Sequence, residues 1–368
     1  MKRHIRPEVV SMKGYVPGEQ PQEGEAVKLN TNENPYRASE SVYETICAVC
    51  TKGLSRYPDP VAGAFREEAA RQFGVSPNWI LCGNGSDDIL TILTRTFVGH
   101  GELLRLPSPS YILYRSLAEI QGARSEEVRF NDDWTLPHRF RVEFHNDPDD
   151  SAALRAGNRL RLVFLPNPNS PSGTVISREE ILEIAESLPC PLVVDEAYAT
   201  FSEFNCLDLV KKSPKIMVCR TLSKSHSLAG LRFGYVVAQP ELIEQMLKVK
   251  DSYNCDSLSI AAATAAIADV EWLARNRTAI LATRERLTRR MRALGFSVPE
   301  SHANFTWNTH PEVPLRPIYE YLKNNGILVR YMDYPGWGDG LRISVGTDEQ
   351  TDRCVDRIEE FIANPVGF

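Results

Sequence analysis

Lys224 stands in the run Arg220-Thr-Leu-Ser-Lys-Ser-His-Ser-Leu-Ala-Gly-Leu-Arg232, directly after the apolar stretch Ile216-Met-Val-Cys219. An amine placed at a strand end among hydroxyls can condense with an aldehyde. A lysine beside serines is also, in isolation, an ordinary solvated charge. Asp195 ends a second apolar run, Pro191-Leu-Val-Val194, and is followed by Glu196, Ala197 and Tyr198. An acid at the end of a buried strand is costly unless it meets a cation or hydrogen-bond donors. A protonated ring nitrogen is one such partner, and a helix cap is the plainer role. A third run, Trp79-Ile-Leu-Cys82, leads into Gly83-Asn-Gly-Ser-Asp-Asp88 and an apolar-periodic helix. Gly85, Ser86 and Asp87 therefore line a helix start, which suits a phosphate and equally suits a simple Ser or Asp N-cap. Tyr111, in Pro107-Ser-Pro-Ser-Tyr111, offers a flat face to a ring or to the core. Pro166-Asn-Pro-Asn-Ser-Pro-Ser-Gly173 is dense in turn formers and side-chain donors.

These groups need a scaffold that brings strand ends together. Trp79–Cys82, Leu103–Leu106, Leu160–Leu165, Leu192–Val194, Ile216–Cys219 and Tyr235–Ala238 are short apolar runs ending in Gly, Pro, Asp or Ser. Helix-like stretches such as Arg178–Ser187 lie between most of them. The pattern predicts an α/β fold with a mainly parallel central sheet and helices on both faces. Ligands in such sheets gather at the carboxyl ends of the strands. Residues 1–30, rich in Pro, Gly and Glu, read as an irregular arm, and Asn131–Asn158 reads as a solvated connection. After Tyr253 the chain turns to long helical patterns with two strand signals, Ile327–Arg330 and Leu341–Val345. The expected division is an arm over 1–30, a large domain over 31–262 and a smaller α+β domain over 263–368.

The composition sets limits on partners. The 368 residues are 42% hydrophobic and 24% charged, with a net charge of −6, which gives no reason to expect nucleic acid or a membrane as a partner. The basic start Met-Lys-Arg-His-Ile-Arg-Pro is followed by no apolar segment, and no stretch approaches the roughly 20 apolar residues of a membrane span. A cytoplasmic protein is expected. The eight cysteines are scattered, as suits reduced thiols. Cys47 and Cys50 form a CxxC without a second pair, so core or half-buried helix positions are expected for them. The seven histidines show no paired ligand spacing, and no metal is expected.

Taken in order, Lys28-Leu-Asn-Thr-Asn-Glu-Asn-Pro-Tyr36, Arg56-Tyr-Pro-Asp59, Gly83-Asn-Gly-Ser-Asp87, Val194-Asp-Glu-Ala-Tyr198, Thr221-Leu-Ser-Lys224, Ser301-His-Ala-Asn-Phe305 and Leu341-Arg-Ile-Ser-Val-Gly-Thr347 cover nearly the whole chain. In this order the chain resembles the fold-type I, pyridoxal-phosphate-dependent aminotransferases, most closely their histidinol-phosphate branch. The resemblance implies that Lys224 bonds the cofactor aldehyde, that Asp195 pairs with its ring nitrogen, and that Tyr198 meets its phenolic oxygen. It implies stacking by Tyr111, and a phosphate held by Gly85, Ser86, Asp87, Thr221, Ser223 and Arg232. Tyr57 resembles the residue that reaches the neighbouring subunit's phosphate, which implies a homodimer.

One segment departs from the family. Its usual Asn-Pro-Thr-Gly is Ser170-Pro-Ser-Gly173 here, so that Ser170 stands where an Asn touches the ring oxygen, with Asn169 one residue early. Arg330 and Arg342 are the expected anion-binding groups of the substrate pocket, with Tyr15 and Asn32 closing it. Aromatic aminotransferases and threonine-phosphate decarboxylases of the same fold share nearly the same cofactor shell. A cofactor-sensing regulator of this fold would carry an added DNA-binding segment.

Overall fold

The computed structural model describes residues 4–14, 18–20, 26–141 and 159–364. Its strands are β1 (Val27–Leu29), β2 (Ile80–Gly83), β3 (Leu103–Ser108), β4 (Arg124–Arg129), β5 (Leu160–Pro166), β6 (Leu192–Asp195), β7 (Ile216–Thr221), β8 (Gly234–Val237), β9 (Phe305–Asn308), β10 (Ile327–Tyr334) and β11 (Gly338–Ser344). They form a seven-stranded sheet in the order β2-β8-β7-β6-β5-β3-β4 and a four-stranded sheet in the order β1-β10-β11-β9.

The large sheet is parallel from β4 through β7, and β8 runs antiparallel to both β7 and β2. Its strands read as continuous apolar runs because both faces are covered. Along β5, Val163 and Leu165 join one apolar cluster, with Ile181 and Ile184 of helix Arg178–Ser187. Leu162 and Phe164 point the other way, into a cluster with Ile89 and Leu93 of helix Ser86–Phe97. Six of these strands follow the apolar runs of the sequence. The seventh, β4, has the polar sequence Arg-Ser-Glu-Glu-Val-Arg and was not expected. It lies at the sheet edge beside β3, where charged side chains discourage pairing with another chain.

The small sheet gathers more of the chain than the two strand signals indicate. β9 pairs with β11, and β1 pairs parallel with β10 through Val27, Lys28 and Leu29 opposite Ile327, Leu328 and Val329. The expected irregular arm thus contains a strand, and also a short helix at Pro7–Ser11. Three residues are too few to show a period, so β1 is recognisable only through its partner. This sheet has its own core, with Leu287, Ile318, Ile343 and Val355 fully buried. Helix Asp348–Ala363 closes the fold, started by a capping box between Thr347 and Gln350.

Two further expectations are corrected. Part of the supposedly solvated stretch after Asn131 is packed: Leu136 and Phe140 are buried, and Trp134 stacks on Trp337 of the β10–β11 turn at 4.3 Å between ring centroids. Polar neighbours in the sequence mask these apolar anchors; residues 142–158 lie outside the described residues. Cys47 and Cys50 are on a helix, Glu40–Lys52, but both are exposed. That helix buries Val42 and packs Ile46 on the core, while Cys47 and Cys50 stay exposed.

Close packing in the small sheet leads to one expected outcome. A Cβ on Gly340 would come within 2.1 Å of the buried Trp307 ring. Gly340→Ala should lower stability by about 1–3 kcal/mol through overpacking. Chemical denaturation checks this, and an unchanged midpoint would mean that Trp307 can move aside.

Candidate active site

The carboxyl ends of β5, β6 and β7 meet the segment after β1 and one face of the small sheet. Lys224 lies in a four-residue helix, Leu222–Ser225, immediately after β7. Thr221 caps that helix, its hydroxyl accepting from the Ser223 N–H at 3.1 Å. From the other side, Asn34 Nδ2 donates to the carbonyls of Lys224 and Ser225 at 3.1 and 3.2 Å and to Asn276 Oδ1 at 2.8 Å. The Lys224 backbone is therefore held at both ends, and its Nζ donates to the Thr31 carbonyl at 2.8 Å. Burial lowers the pKa of this amine to about 8, aided by repulsion from Arg342 and opposed by Glu33 and Asp87.

Asp195 is the last residue of β6 and is buried. Its carboxyl accepts from the Tyr114 hydroxyl at 2.7 Å and from the Ala197 N–H at 3.1 Å. Burial raises its pKa to about 6, against the lowering effect of these two donors. Glu196, next in sequence, faces away from this arrangement: Arg220 Nε and Nη2 donate to its Oε2 at 2.8 and 2.7 Å, and the Cys206 N–H donates to its Oε1. Two adjacent acids at one strand end thus have different environments, one neutralised by an arginine and the other without a cation among its hydrogen-bond partners.

A second group of expected residues forms one linked cluster. Gly85 has φ +82°, and a Cβ there would lie 2.5 Å from Arg232 Nη2. Gly234 of β8 leaves room for the same turn, since a Cβ on it would lie 2.5 Å from the Ser86 nitrogen. Asp87 accepts from Tyr111 OH at 3.2 Å and from Arg232 Nη2 at 3.3 Å. Arg232 Nη1 reaches Ser223 Oγ at 3.5 Å, and Thr221 Oγ1 bonds Ser223 Oγ at 2.9 Å. The start of helix Ser86–Phe97 thereby meets hydroxyls and a guanidinium, a donor set that matches a phosphate.

The small-sheet side carries the remaining candidates. Asn32, at φ 55°, donates through Nδ2 to Tyr198 OH at 2.9 Å and accepts from Ser344 Oγ at 3.0 Å. Its carbonyl accepts from Asn304 Nδ2 at 3.0 Å. Arg342 lies opposite Arg330 across the β10–β11 ladder, and both face the same side. Arg342 donates to Ser170 Oγ at 2.9 Å and to the Asn30 carbonyl at 3.0 Å, and its guanidinium lies over Phe305 at 5.4 Å. Ser170 is thus engaged with Arg342. Asn169 Nδ2 bonds the Pro109 carbonyl at 3.3 Å and Ser172 Oγ at 3.0 Å, while its buried Oδ1 has no partner.

One expected residue, Tyr57, stands apart from this cluster. Tyr57 is 82% exposed and stacks on Tyr253, with ring centroids 4.5 Å apart. Tyr15 lies outside the described residues. Sequence reasoning also missed several contributors: Tyr114, Asn34, Ser344, Asn304 and Gly234. Asn34 stood within the run Lys28–Tyr36, and Tyr114 follows Tyr111 by one helical turn. Asn304 and Ser344 likewise stood within the runs Ser301–Phe305 and Leu341–Thr347, whereas Gly234 carries no local signal, because the turn it makes room for follows a strand distant in sequence. Among the described residues no group of three or more His, Cys, Asp or Glu could hold a metal ion.

The donor set fits a group that combines an aldehyde, a basic ring nitrogen and a phosphate. Lys224 has a depressed pKa that favours its nucleophilic form, Asp195 has no cation among its hydrogen-bond partners in the described residues, and the Gly85 turn is kept open by two glycines. Buried lysine and carboxylate groups at neighbouring strand ends of a doubly covered sheet define the fold-type I class of enzymes. The chain belongs to the family described as aminotransferase class I and II, whose profile matches residues 25–358. It is 58% identical to the histidinol-phosphate aminotransferase of Rhodopirellula baltica, over 96% of this chain and 94% of that one. It is 42% identical to the histidinol-phosphate aminotransferase of Geotalea uraniireducens, over 97% and 99%. The crystal structure of histidinol-phosphate aminotransferase from Sinorhizobium meliloti in complex with pyridoxal-5'-phosphate superposes with a TM-score of 0.84 at 25% identity, covering 99% of this chain and 98% of that one.

Two outcomes follow from the electrostatics. In the cofactor-free protein the neutral fraction of Lys224 rises through about pH 8, so its rate of condensation with an added aldehyde should climb to that pH and then level off. A rate still climbing at about pH 10, near the ordinary lysine pKa, would contradict the buried setting. Arg220→Ala should cost about 3–5 kcal/mol, because it strands the fully buried Glu196 carboxylate. Urea denaturation measures this, and the double variant with Glu196→Gln should recover part of the loss.

Proposed function

We propose that this protein is a pyridoxal-phosphate-dependent aminotransferase of histidine biosynthesis. It converts histidinol phosphate and 2-oxoglutarate to imidazole-acetol phosphate and glutamate. The observation that carries the reading is the 58% identity to a histidinol-phosphate aminotransferase across nearly the full length of both chains. The paired arginines Arg330 and Arg342 on adjacent strands support it, because one pocket must accept a phosphate in one half-reaction and carboxylates in the other.

Pyridoxal phosphate supplies an aldehyde that takes up amino groups and a cationic ring that accepts the electron pair left when a Cα–H bond breaks. Lys224 would hold it through Nζ and, as a free amine, would take the substrate Cα proton as general base. The low pKa of Lys224 leaves a usable neutral fraction near physiological pH. Asp195 holds the proton on the ring nitrogen. Tyr198, oriented by Asn32, donates to the phenolic oxygen. Tyr111 stacks on the ring, and Gly85, Ser86, Asp87, Thr221, Ser223 and Arg232 bind the phosphate. Asn169 and Ser170 flank the ring-oxygen side, where Ser170 also orients Arg342. Arg330 and Arg342 bind the substrate anion, and Asn32 and Tyr15 close the pocket.

The protein acts as a cytoplasmic homodimer, with the exposed Tyr57 extending to the phosphate of the second subunit. The arm over 1–30, the large domain over 31–262 and the small domain over 263–368 belong to the same reading. Separate apolar cores under the two sheets support that division.

Lys224→Ala should retain the fold and lose transamination by roughly 10⁴-fold, the upper range for removing a general base. A half-reaction panel tests the substrate. Loaded enzyme is mixed separately with histidinol phosphate, phosphothreonine, phenylalanine and glutamate, and the cofactor absorbance is followed. Fast conversion by histidinol phosphate and glutamate supports the reading. A faster reaction with phenylalanine, or carbon dioxide release from phosphothreonine, overturns the substrate and leaves the cofactor chemistry standing.

A further inference from the structure

We propose that Tyr114 is a positioning residue for the reaction: its phenol keeps Asp195 ionised and fixed in orientation, so that the shared proton stays on the cofactor ring nitrogen instead of moving to the carboxylate. The proposal rests on the reading of Asp195 as the ring-nitrogen partner.

Three observations carry it. Tyr114 is fully buried, near the start of helix Leu113–Gln121, and its hydroxyl donates to Asp195 Oδ2 at 2.7 Å, the short range of bonds to a charged acceptor. The Tyr114 ring is fixed by aromatic neighbours, stacked on Phe164 at 4.8 Å and met edge-on by Tyr111 at 5.6 Å. A buried phenol so held has its hydroxyl aimed at the acid.

The surroundings of Asp195 explain why a donor is needed there. Among the described residues, the charged side chains that act on it most strongly, Asp87 and Glu196, are both acidic. Cys219, its neighbour on β7, is a buried thiol whose own pKa is pushed up. Against burial and these acids, the Tyr114 hydroxyl and then the Ala197 N–H are the main groups among the described residues that favour the ionised carboxylate. A hydrogen bond to the charged form of an acid lowers its basicity. In the bound enzyme one proton lies between the ring nitrogen and Asp195. Removing the phenol makes the carboxylate more basic, and the proton shifts from nitrogen to Asp195 Oδ with no other bond changed. The ring then accepts electrons less well.

Tyr114→Phe deletes the donor and keeps the packed ring. Wild type, Tyr114→Phe and Asp195→Asn are loaded with pyridoxal phosphate labelled with ¹⁵N in the ring, and the nitrogen chemical shift is recorded with kcat and KM for the preferred substrate. The wild type should give the shift of a protonated ring. Tyr114→Phe should move towards the unprotonated value, with kcat lowered about 10- to 100-fold, the size expected for one charge-assisted bond, and KM within about twofold. A second readout needs no cofactor: ¹³C NMR of labelled aspartate in the apoprotein should show Asp195 titrating near pH 6 in the wild type and higher in Tyr114→Phe. An unchanged ring shift and an unchanged Asp195 titration in Tyr114→Phe overturn the proposal while the role of Asp195 stands. If Asp195→Asn also leaves the ring shift unchanged, the reading of Asp195 fails and the proposal with it.

Discussion

Burial of two opposite charges at neighbouring strand ends is the constraint on which this structure depends. Lys224 and Asp195 both lie where water cannot fully solvate them, and each is pushed towards its neutral form. Such groups would be unfavourable in a protein whose only task was to fold. Here each charge is kept by a few specific donors or acceptors, the Thr31 carbonyl for Lys224 and the Tyr114 hydroxyl with the Ala197 N–H for Asp195. The cost is offset by the large doubly covered sheet, whose strands other than the edge strand β4 are almost wholly buried.

The second sheet completes the site. Segment Asn30–Asn34, which follows the short β1, reaches from the small sheet to the large one. Its Thr31 carbonyl meets Lys224, its Asn32 amide meets Tyr198, and its Asn34 amide ties down the Lys224 backbone. Arg342 makes the return link, bonding Ser170 of the large-sheet side and the Asn30 carbonyl. The pairing of β1 with β10 therefore does more than extend a sheet: it sets where Lys224 stands relative to Arg330 and Arg342. Trp134 on Trp337 ties the same two parts together at the hairpin tip.

Ser170 shows how a departure from a family pattern is absorbed. The hydroxyl that stands in place of a carboxamide turns to the guanidinium of Arg342. Asn169 is held by Pro109 and Ser172, with its carbonyl oxygen unpartnered. The residue at this one position therefore couples the loop after β5 to Arg342 of the small sheet.

Much of this was legible in the amino-acid order. The parallel strands appear as apolar runs because burial on both faces leaves no polar alternation. Lys224, Asp195 and the Gly85 turn stand out because polar residues directly after such runs fall at strand ends. The edge strand β4 was not legible, since its exposure permits a charged sequence, nor was β1, which is too short to carry a period. Cys47 and Cys50 were misplaced because their helix buries so narrow a face. The sequence by itself determined the large sheet, the covalent lysine candidate and its acidic counterpart, all of which depend on local order along single strands. Tertiary structure alone decided the Tyr114 bond to Asp195, the Ser344 and Asn304 bonds to Asn32, and the Arg342 bond to Ser170. Those contacts join residues 81 to 312 positions apart, and their geometry arises only when segments distant in sequence are packed against each other.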